Sequence, residues 1–142
     1  MFSKSTRILI VDDMAAMRRS IRRALHDLGF TTVIDADDGM TAWVEIEASL
    51  AKQEPFQLII SDWNMPKMQG IELLKRVRGN ESMKDIPFIM LTAEQEKAQV
   101  VQAVQFGVSN YIIKPFTPAT LAEKLMAVFE SMDRRSREHT FN

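Results

Sequence analysis

Five short apolar runs divide the chain, and each has about the length of one strand. They are rich in Ile, Val, Leu and Phe, and they cover residues 8–11, 32–34, 58–60, 88–91 and 111–113. Their apolar character is continuous and does not alternate with polar positions, which indicates strands that are covered on both faces. The pattern therefore predicts a parallel sheet between two layers of helices.

The segments between these runs have the three-to-four-residue apolar spacing of amphipathic helices. The apolar positions are, helix by helix, Met17, Ile21, Ala24, Leu25 and Leu28; Ala42, Trp43, Ile46 and Leu50; Ile71, Leu74 and Val77; Val100, Val101 and Val104; and Leu121, Leu125, Val128, Phe129 and Met132. Gly29 and Gly107 end the first and fourth helices, and Thr117 with Pro118 begins the fifth. Five βα units joined by right-handed crossovers predict a doubly wound α/β sheet.

The length and composition are those of one ordinary globular domain. The 142 residues are 46% hydrophobic and 26% charged, and a chain of this size buries roughly 68–70% of its unfolded surface. We expect one domain over residues 1–132 and a short polar tail over residues 133–142. The chain has no cysteine, which excludes disulfides, thiolate zinc sites and thiol catalysis.

Charge and hydropathy argue against two classes of partner. Eighteen basic and nineteen acidic residues give a net charge of −1, without the basic excess of proteins that neutralise nucleic-acid phosphates. The apolar runs are far shorter than the roughly 20 residues that span a bilayer, and the run after Lys4 and Arg7 is too short for a secretory signal. We therefore expect no nucleic-acid partner, no membrane span and a cytoplasmic location.

Chemically active side chains follow four of the five strands. Asp12 and Asp13 follow the first strand, Asp62 the third, Thr92 the fourth and Lys114 the fifth. The carboxyl ends of parallel strands share one sheet edge, where open α/β sheets bind ligands, so these groups should converge. Two carboxylates about 4 Å apart repel by roughly 4 kcal/mol at an effective dielectric constant near 20, so a third one requires a compensating cation.

The residue types at this edge indicate magnesium and phosphoryl chemistry. Oxygen ligands without His or Cys nearby favour Mg²⁺, which commonly binds phosphate oxygens as well. A carboxylate can be the nucleophile that forms an aspartyl phosphate, while the metal and an ammonium group offset the charge. The turn after the first strand carries two acids and lacks the glycine-rich phosphate loop of a dinucleotide site.

Each of these residues has a simpler structural interpretation when it is taken alone. Asp13 would cap the first helix, Asp62 would begin a turn, Thr92 would cap the next helix and Lys114 would be a solvated lysine. Their joint placement at successive strand ends favours a functional site.

Four separated segments resemble the receiver domains of two-component response regulators, and in particular their single-domain chemotaxis members. They are the Asp12-Asp13 pair, S-D-W-N-M-P at residues 61–66, T-A-E at residues 92–94 and Y-I-I-K-P-F-T at residues 111–117. The resemblance extends from about Arg7 to Met132. It implies a flavodoxin-like (βα)5 sheet with strand order 2-1-3-4-5.

The resemblance implies a role for each residue at the predicted site. Asp62 would accept the phosphoryl group, and Lys114 would contact that group. Asp13, Asp62 and the backbone carbonyl of Asn64 would bind Mg²⁺, with Asp12 as a water-mediated or outer ligand.

The resemblance also implies a switch and an output face. Thr92 and Tyr111 resemble the family's switch pair, in which the hydroxyl moves toward the phosphoryl group and the aromatic ring turns inward. The signal would then reach the face formed by helix four, strand five and helix five. Positions that match partner-binding positions on that face are Lys97, Val100, Tyr111 and Lys124.

The implied partners are a histidine kinase of the chemotaxis type and a downstream protein, for which a flagellar motor switch protein is the candidate. Asn64 and Glu94 match positions that tune the lifetime of the aspartyl phosphate, so a phosphatase is a further candidate partner. A monomer is expected. The longer connection over residues 48–56, Gln69 in place of a common acid, and the extended tail leave the target open between the motor and another phosphorelay.

Two other functions are compatible with single features of the sequence. A Mg²⁺-dependent phosphohydrolase also uses an aspartyl phosphate, but its nucleophile usually follows the first strand in a D-x-D arrangement, whereas Asp12 and Asp13 are adjacent. A receiver-like binding module would not need the intact set of site residues. The sequence favours a phosphoacceptor signalling protein over an enzyme, with at most self-phosphorylation from small donors and slow dephosphorylation.

Overall fold

The computed structural model describes residues 3–93 and 97–140, the last six of them by their backbone alone. The strands are β1 (Ile8–Val11), β2 (Val33–Ala36), β3 (Leu58–Asp62), β4 (Phe88–Ala93) and β5 (Asn110–Lys114). The helices are α1 (Ala15–Asp27), α2 (Gly39–Ala51), α3 (Gly70–Arg78), α4 (Lys97–Gln105) and α5 (Pro118–Thr140). All strands are parallel and lie in the order β2-β1-β3-β4-β5, which confirms the predicted fold and strand order.

The two faces of the sheet contribute to separate hydrophobic cores. On one face, strand residues such as Leu9, Ile59 and Met90 pack against α2, α3 and α4. On the other face, residues such as Ile10 and Leu91 pack against α1 and α5. Because successive side chains of a strand point to opposite faces, a strand covered on both sides is apolar throughout. This double cover explains the continuous apolar runs in the sequence.

The register of the sheet aligns the strand ends that carry polar side chains. Val11 pairs with Ser61, and Ala93 pairs with Lys114. Asp62 pairs with Leu91, the residue before Thr92. The residues that follow or end β1, β3, β4 and β5 therefore lie along one edge, as predicted.

Helix ends follow the predicted residues. Gly29 and Gly107 lie just after α1 and α4 with φ angles of +99° and +88°, a conformation that glycine adopts without strain. The Thr117 hydroxyl accepts a hydrogen bond from the backbone N–H of Thr120 at 3.2 Å, and α5 begins at Pro118. The predicted start of α5 is confirmed.

The prediction of a buried apolar stripe on α4 was wrong in detail. Val101 and Val104 are each 59% exposed, Val100 is half-buried, and Ala103 is the buried residue of this helix. A small alanine side chain lets the helix approach the sheet with a narrow contact, so the larger valines remain outside it. The apolar residues of α4 consequently form part of the protein surface.

Helix α5 continues through most of the segment that the sequence set apart as a polar tail. Residues 133–140 contain neither Pro nor Gly, so nothing in them stops a helix that has already begun. In the part of the chain with described structure, neither α5 nor any other helix is long and apolar enough to cross a membrane.

Candidate functional site

Three carboxylates and one ammonium group meet at the carboxyl edge of the sheet. One carboxylate oxygen from each of Asp12, Asp13 and Asp62 lies within 4.8 Å of the others. The Lys114 Nζ atom lies 3.0 Å from Asp62 Oδ1 and 3.3 Å from Asp12 Oδ2. The structure thus brings together four side chains that the sequence predicted to converge.

Asp62 ends β3 and is almost completely buried. Burial raises the pKa of its carboxyl group above the ordinary value, the nearby Lys114 ammonium lowers it, and the Asp12 carboxylate raises it further. Burial dominates, so the pKa is raised on balance. A carboxylate at this position is therefore destabilised until another positive charge reaches it.

Asp12 is fully buried and is held by three contacts. Its Oδ1 accepts a hydrogen bond from the Met14 N–H at 2.9 Å, and its Oδ2 accepts one from Lys114. Its backbone carbonyl accepts a hydrogen bond from Arg18 at 2.7 Å. These contacts leave Asp12 little freedom to reorient.

The interpretation of Asp13 as a helix cap is wrong, because Met14 occupies the N-cap position of α1 without a side-chain cap. The Asp13 side chain is exposed at the edge of the cluster. Being solvated and uncommitted to the helix, it is free to act as a ligand.

The donor set of this cluster fits a magnesium ion. Among the described residues, the donors of this cluster are carboxylate oxygens without His or Cys, which matches the ligand preference of Mg²⁺. In the same part of the chain, one lysine pairs with the cluster of three acids, so the cluster keeps an excess of negative charge that a divalent cation would offset. Asn64 is the second residue after β3 and is exposed in the loop at the same edge of the sheet.

The loop between β3 and α3 is anchored by apolar side chains. Trp63, Met65 and Met68 are buried in the core beneath α2 and α3. The Trp63 N–H also donates to the Leu91 carbonyl at 3.0 Å. Trp63 is thus a core residue. A loop anchored in this way holds the exposed Asn64 at a defined position beside Asp62.

Gly70 allows the end of this loop to approach β3 closely. Its N–H donates to the Trp63 carbonyl at 2.9 Å. A Cβ atom at Gly70 would lie 2.2 Å from the carbonyl oxygen of Asp62 and 2.9 Å from the sulfur of Met90. Such contacts are shorter than van der Waals distances, so only glycine fits here without displacing Asp62.

The predicted switch residues lie on neighbouring strands with separate contacts. The buried Thr92 hydroxyl donates to Gln99 Oε1 of α4 at 2.9 Å. The half-buried Tyr111 ring has the Lys124 ammonium 5.0 Å from its centroid, within the range of a cation–π contact. Glu94 lies outside the described residues.

The predicted output face combines charged and apolar side chains. Lys97 is exposed at the start of α4, and Val100 is half-buried one turn later. Exposed apolar side chains on the same two elements, α4 and β5, are Val101, Val104 and Ile113.

Two contacts near the site were missed by the sequence analysis. Gln99 is the hydrogen-bond partner of Thr92, and it precedes the buried Ala103 by four residues, so a polar residue on the inward face of α4 was the available signal. Lys67 lies 3.7 Å from Asp38, the N-cap of α2, and nothing in the sequence pairs those two residues.

Residues 8–126 match the family model described as the response regulator receiver domain. The chain is 48% identical over 130 residues to chemotaxis protein CheY-3 of Vibrio cholerae, covering 92% of this chain and 96% of the relative. It is 45% identical over 127 residues to chemotaxis protein CheY of Pseudomonas aeruginosa, covering 89% and 98%. The solved structure of the chemotaxis response regulator CheY4 of Vibrio cholerae superposes with a TM-score of 0.76 at 35% identity, covering 87% of this chain and 98% of that one.

Proposed function

Since the chain belongs to the response regulator receiver domain family, whose members are signalling proteins of two-component systems, we propose that it accepts a phosphoryl group on Asp62 from a histidine kinase. The observation that carries this proposal is the burial of the Asp62 carboxylate at the sheet edge beside Lys114, Asp12 and Asp13. On this proposal the receiver domain of this chain acts as a response regulator in chemotaxis.

In the transfer step, an Asp62 oxygen attacks the phosphorus of a phosphohistidine. A P–O bond forms, the P–N bond breaks, and the leaving imidazole keeps the electron pair and takes up a proton from solvent. Reversal of the signal is hydrolysis, in which water attacks phosphorus and returns the Asp62 carboxylate and inorganic phosphate. Both steps need charge neutralisation, because every reacting oxygen is anionic or becomes so.

Asp13, Asp62 and the Asn64 carbonyl would hold the magnesium ion, with Asp12 as a water-mediated or outer ligand. The ion would supply positive charge to the oxygens of the incoming phosphoryl group. Asp12 is fully buried and already bound to Met14 and Lys114, which suits a fixed supporting position. Asp13 is exposed and can reach an ion from the solvent side.

Lys114 would contact the phosphoryl oxygens. In the unphosphorylated chain its ammonium already lies between Asp12 and Asp62. Once Asp62 carries the phosphoryl group, negative charge moves outward from the carboxylate, and the ammonium follows it by turning about its flexible side chain. The same cation therefore serves both states.

Signal output would pass through Thr92 and Tyr111 to the face formed by α4, β5 and α5. The target protein would bind on this face, and the candidate is a flagellar motor switch protein. Its contacts would be with Lys97, Val100, Tyr111 and Lys124. Val101 and Val104 are exposed on α4, the helix that also carries Lys97, and this combination supports a protein partner with an apolar and acidic surface. A non-chemotaxis phosphorelay would use the same face with another target.

Asn64 and Glu94 would tune how long the phosphoryl group remains. Asn64 is exposed beside the cluster, where it can restrict the path of an attacking water. A phosphatase that supplies or orients this water is a candidate partner. A monomeric state and a cytoplasmic location stay predictions.

The experiment is phosphorylation by acetyl phosphate in the presence of MgCl₂, followed by intact-protein mass spectrometry. We expect the wild-type mass to increase by one phosphoryl group and Asp62→Asn to show no increase. Asp37→Asn is the matched control, because Asp37 is an exposed aspartate directly after β2 at the same edge. An unmodified wild type, or equal labelling of Asp62→Asn, would contradict the proposal.

The output face needs its own measurement. Tyr111→Ala and Lys124→Ala should each weaken binding of the phosphorylated chain to the purified motor switch protein, while acetyl phosphate labels both variants as it labels wild type. Binding that is unchanged in both variants would place the target contact elsewhere.

A further inference from the structure

The side-chain hydroxyl of Thr92 donates its hydrogen bond to a residue outside the acidic cluster. Thr92 is only 2% exposed, and its Oγ1 donates to Gln99 Oε1 at 2.9 Å. Gln99 is the third residue of α4 and is half-buried, so the hydrogen bond joins β4 to the first turn of that helix. The hydrogen bond is part-buried, and because Thr92 itself is almost inaccessible to solvent, its hydroxyl cannot exchange this bond for a solvent contact without moving.

A hydroxyl has one proton, and therefore it donates one hydrogen bond at a time. A hydroxyl that donates to Gln99 cannot donate to a phosphoryl oxygen on Asp62. Any movement of Thr92 toward Asp62 thus requires that the bond to Gln99 break first. Breaking it leaves the amide oxygen of Gln99 without this donor, which adds to the free energy of the change.

Helix α4 has little else in the described part of the chain to hold its first turn in place. Its buried residue is Ala103, in the second half of the helix, whereas Lys97 and Ala98 are exposed. The Thr92–Gln99 hydrogen bond connects this turn to β4. The state of the Thr92 hydroxyl and the position of the α4 start are therefore linked.

We propose that Gln99 is a positioning residue that holds Thr92 in the inactive arrangement and sets the free-energy cost of switching. This inference rests on the proposed function and adds to it the residue that opposes activation. Phosphorylation activates the chain because the anionic phosphoryl oxygens accept the Thr92 hydroxyl proton more strongly than the neutral amide oxygen of Gln99 does. Release of Gln99 then frees the first turn of α4 at the output face.

The test measures the affinity for beryllofluoride, a phosphoryl mimic, in the presence of MgCl₂. Binding is monitored by the change in the tryptophan fluorescence of Trp63 and Trp43. Gln99→Leu has a similar volume and no acceptor, so it should bind beryllofluoride about fivefold more tightly, the factor that corresponds to one net hydrogen bond. Gln99→Glu keeps an acceptor and strengthens it, so its affinity should be at or below that of wild type. Gln105→Ala, at the exposed end of the same helix, is the control and should match wild type.

A double-mutant cycle with Thr92→Val tells whether Gln99 acts through the Thr92 hydroxyl or only supports the local structure. Thr92→Val removes the hydroxyl and keeps the side-chain shape. If Gln99 acts through that hydroxyl, Gln99→Leu has no effect on beryllofluoride affinity in the Thr92→Val background. An equal effect in both backgrounds would overturn the inference.

A second measurement needs no phosphoryl mimic. The χ1 angle of Thr92, followed by NMR couplings in the ion-free protein, should be a single rotamer in wild type and an average of rotamers in Gln99→Leu. A single unchanged rotamer in the variant overturns the inference alone. Failure of wild type to bind beryllofluoride overturns the proposed function, and this inference falls with it.

Discussion

The Nζ atom of Lys114 lies 3.0 Å from Oδ1 of Asp62, although 51 residues, which include two helices, separate them along the chain. The same ammonium lies 3.3 Å from Asp12. One partly buried cation therefore holds two buried carboxylates together. Ion pairing and the strand order of the sheet both bring the site together. Its stability and its chemistry depend on the same three groups, Lys114, Asp62 and Asp12.

Removal of this cation should destabilise the fold. We expect Lys114→Met to lower the free energy of unfolding by about 2 kcal/mol, because it leaves two buried carboxylates without their counter-charge. Excess MgCl₂ should recover more stability in the variant than in wild type, since a bound cation replaces the lost one. Urea denaturation with and without MgCl₂ measures both effects.

Lys75→Met is the control for that experiment. Lys75 pairs with Glu72 at 3.8 Å on the surface of α3, and its ammonium lies 4.5 Å from the centroid of the Phe106 ring, two surface contacts that together contribute about 1 kcal/mol or less. Equal losses of stability in Lys75→Met and Lys114→Met would contradict the assignment of Lys114.

The raised pKa of Asp62 predicts a specific dependence of stability on pH. The native state binds this proton more tightly than the unfolded state does, so stability falls as pH rises from the ordinary value of 3.8 through the raised native pKa. Without metal, Asp62→Asn should therefore melt at a higher temperature than wild type at pH 7. The difference should vanish below pH 3.8, where both side chains are neutral. Calorimetry across this range checks the sign.

For Asp38 we expect the opposite dependence of stability on pH. Its pKa is lowered first by the hydrogen bond from the Thr41 backbone N–H, with a further contribution from Lys67. The carboxylate is thus favoured in the native state, and its contribution to stability is present above pH 3.8 and is lost as pH falls through the lowered native pKa. Asp38→Asn should melt below wild type at pH 7, and the difference should close in acid. The same sign for both variants would refute this reading.

Gly70 provides a steric test of the site. A methyl group there would meet the Asp62 carbonyl and the Met90 sulfur, so we expect Gly70→Ala to lower the free energy of unfolding by about 1–3 kcal/mol. Displacement of Asp62 should also slow labelling by acetyl phosphate. Gly79→Ala is the control, because its Cβ would lie 3.2 Å from the Lys75 carbonyl and far from the cluster. Normal labelling together with normal stability in Gly70→Ala would contradict the close approach.

Arg78 stabilises the opposite end of the sheet. Its guanidinium donates to the carbonyls of Gly107, Lys84 and Ile86 at 2.9, 3.0 and 2.7 Å, and so ties the loop before β4 to the loop before β5. We expect Arg78→Ala to lower the free energy of unfolding by about 2–3 kcal/mol, and Arg78→Lys to recover little, because an ammonium cannot reproduce the planar fork.

Arg78→Ala should change the stability of the fold and leave phosphorylation unchanged. Acetyl phosphate should label folded Arg78→Ala as it labels wild type, since Arg78 lies at the far end of the sheet from Asp62. Arg19→Ala on the exposed face of α1 is the control and should change stability by less than about 0.5 kcal/mol. Slow labelling in Arg78→Ala at a temperature where it is fully folded would show that the two ends are coupled.

The sequence predicted the sheet well because a strand that is buried on both faces is apolar along its whole length. Each predicted strand overlaps an observed one, and the largest shift is at β2, observed at Val33–Ala36 and predicted over 32–34. β2 lies at the edge of the sheet and includes the exposed Asp35, so its apolar signal stops early. The exposed valines of α4 show the converse, because apolar spacing alone does not tell how closely a helix approaches its sheet.

The order of residues along the chain was enough to determine the kind of fold and the edge at which Asp12, Asp13, Asp62 and Lys114 meet, because all the carboxyl ends of parallel strands lie on one side of the sheet. The tertiary structure alone decided which atoms touch there. Lys114 between two acids, the Thr92 hydroxyl turned to Gln99, and Gly70 against the Asp62 carbonyl all depend on distances of a few ångströms between elements that are remote in sequence. Such distances follow from the packing of whole layers, and no local pattern of residues encodes them.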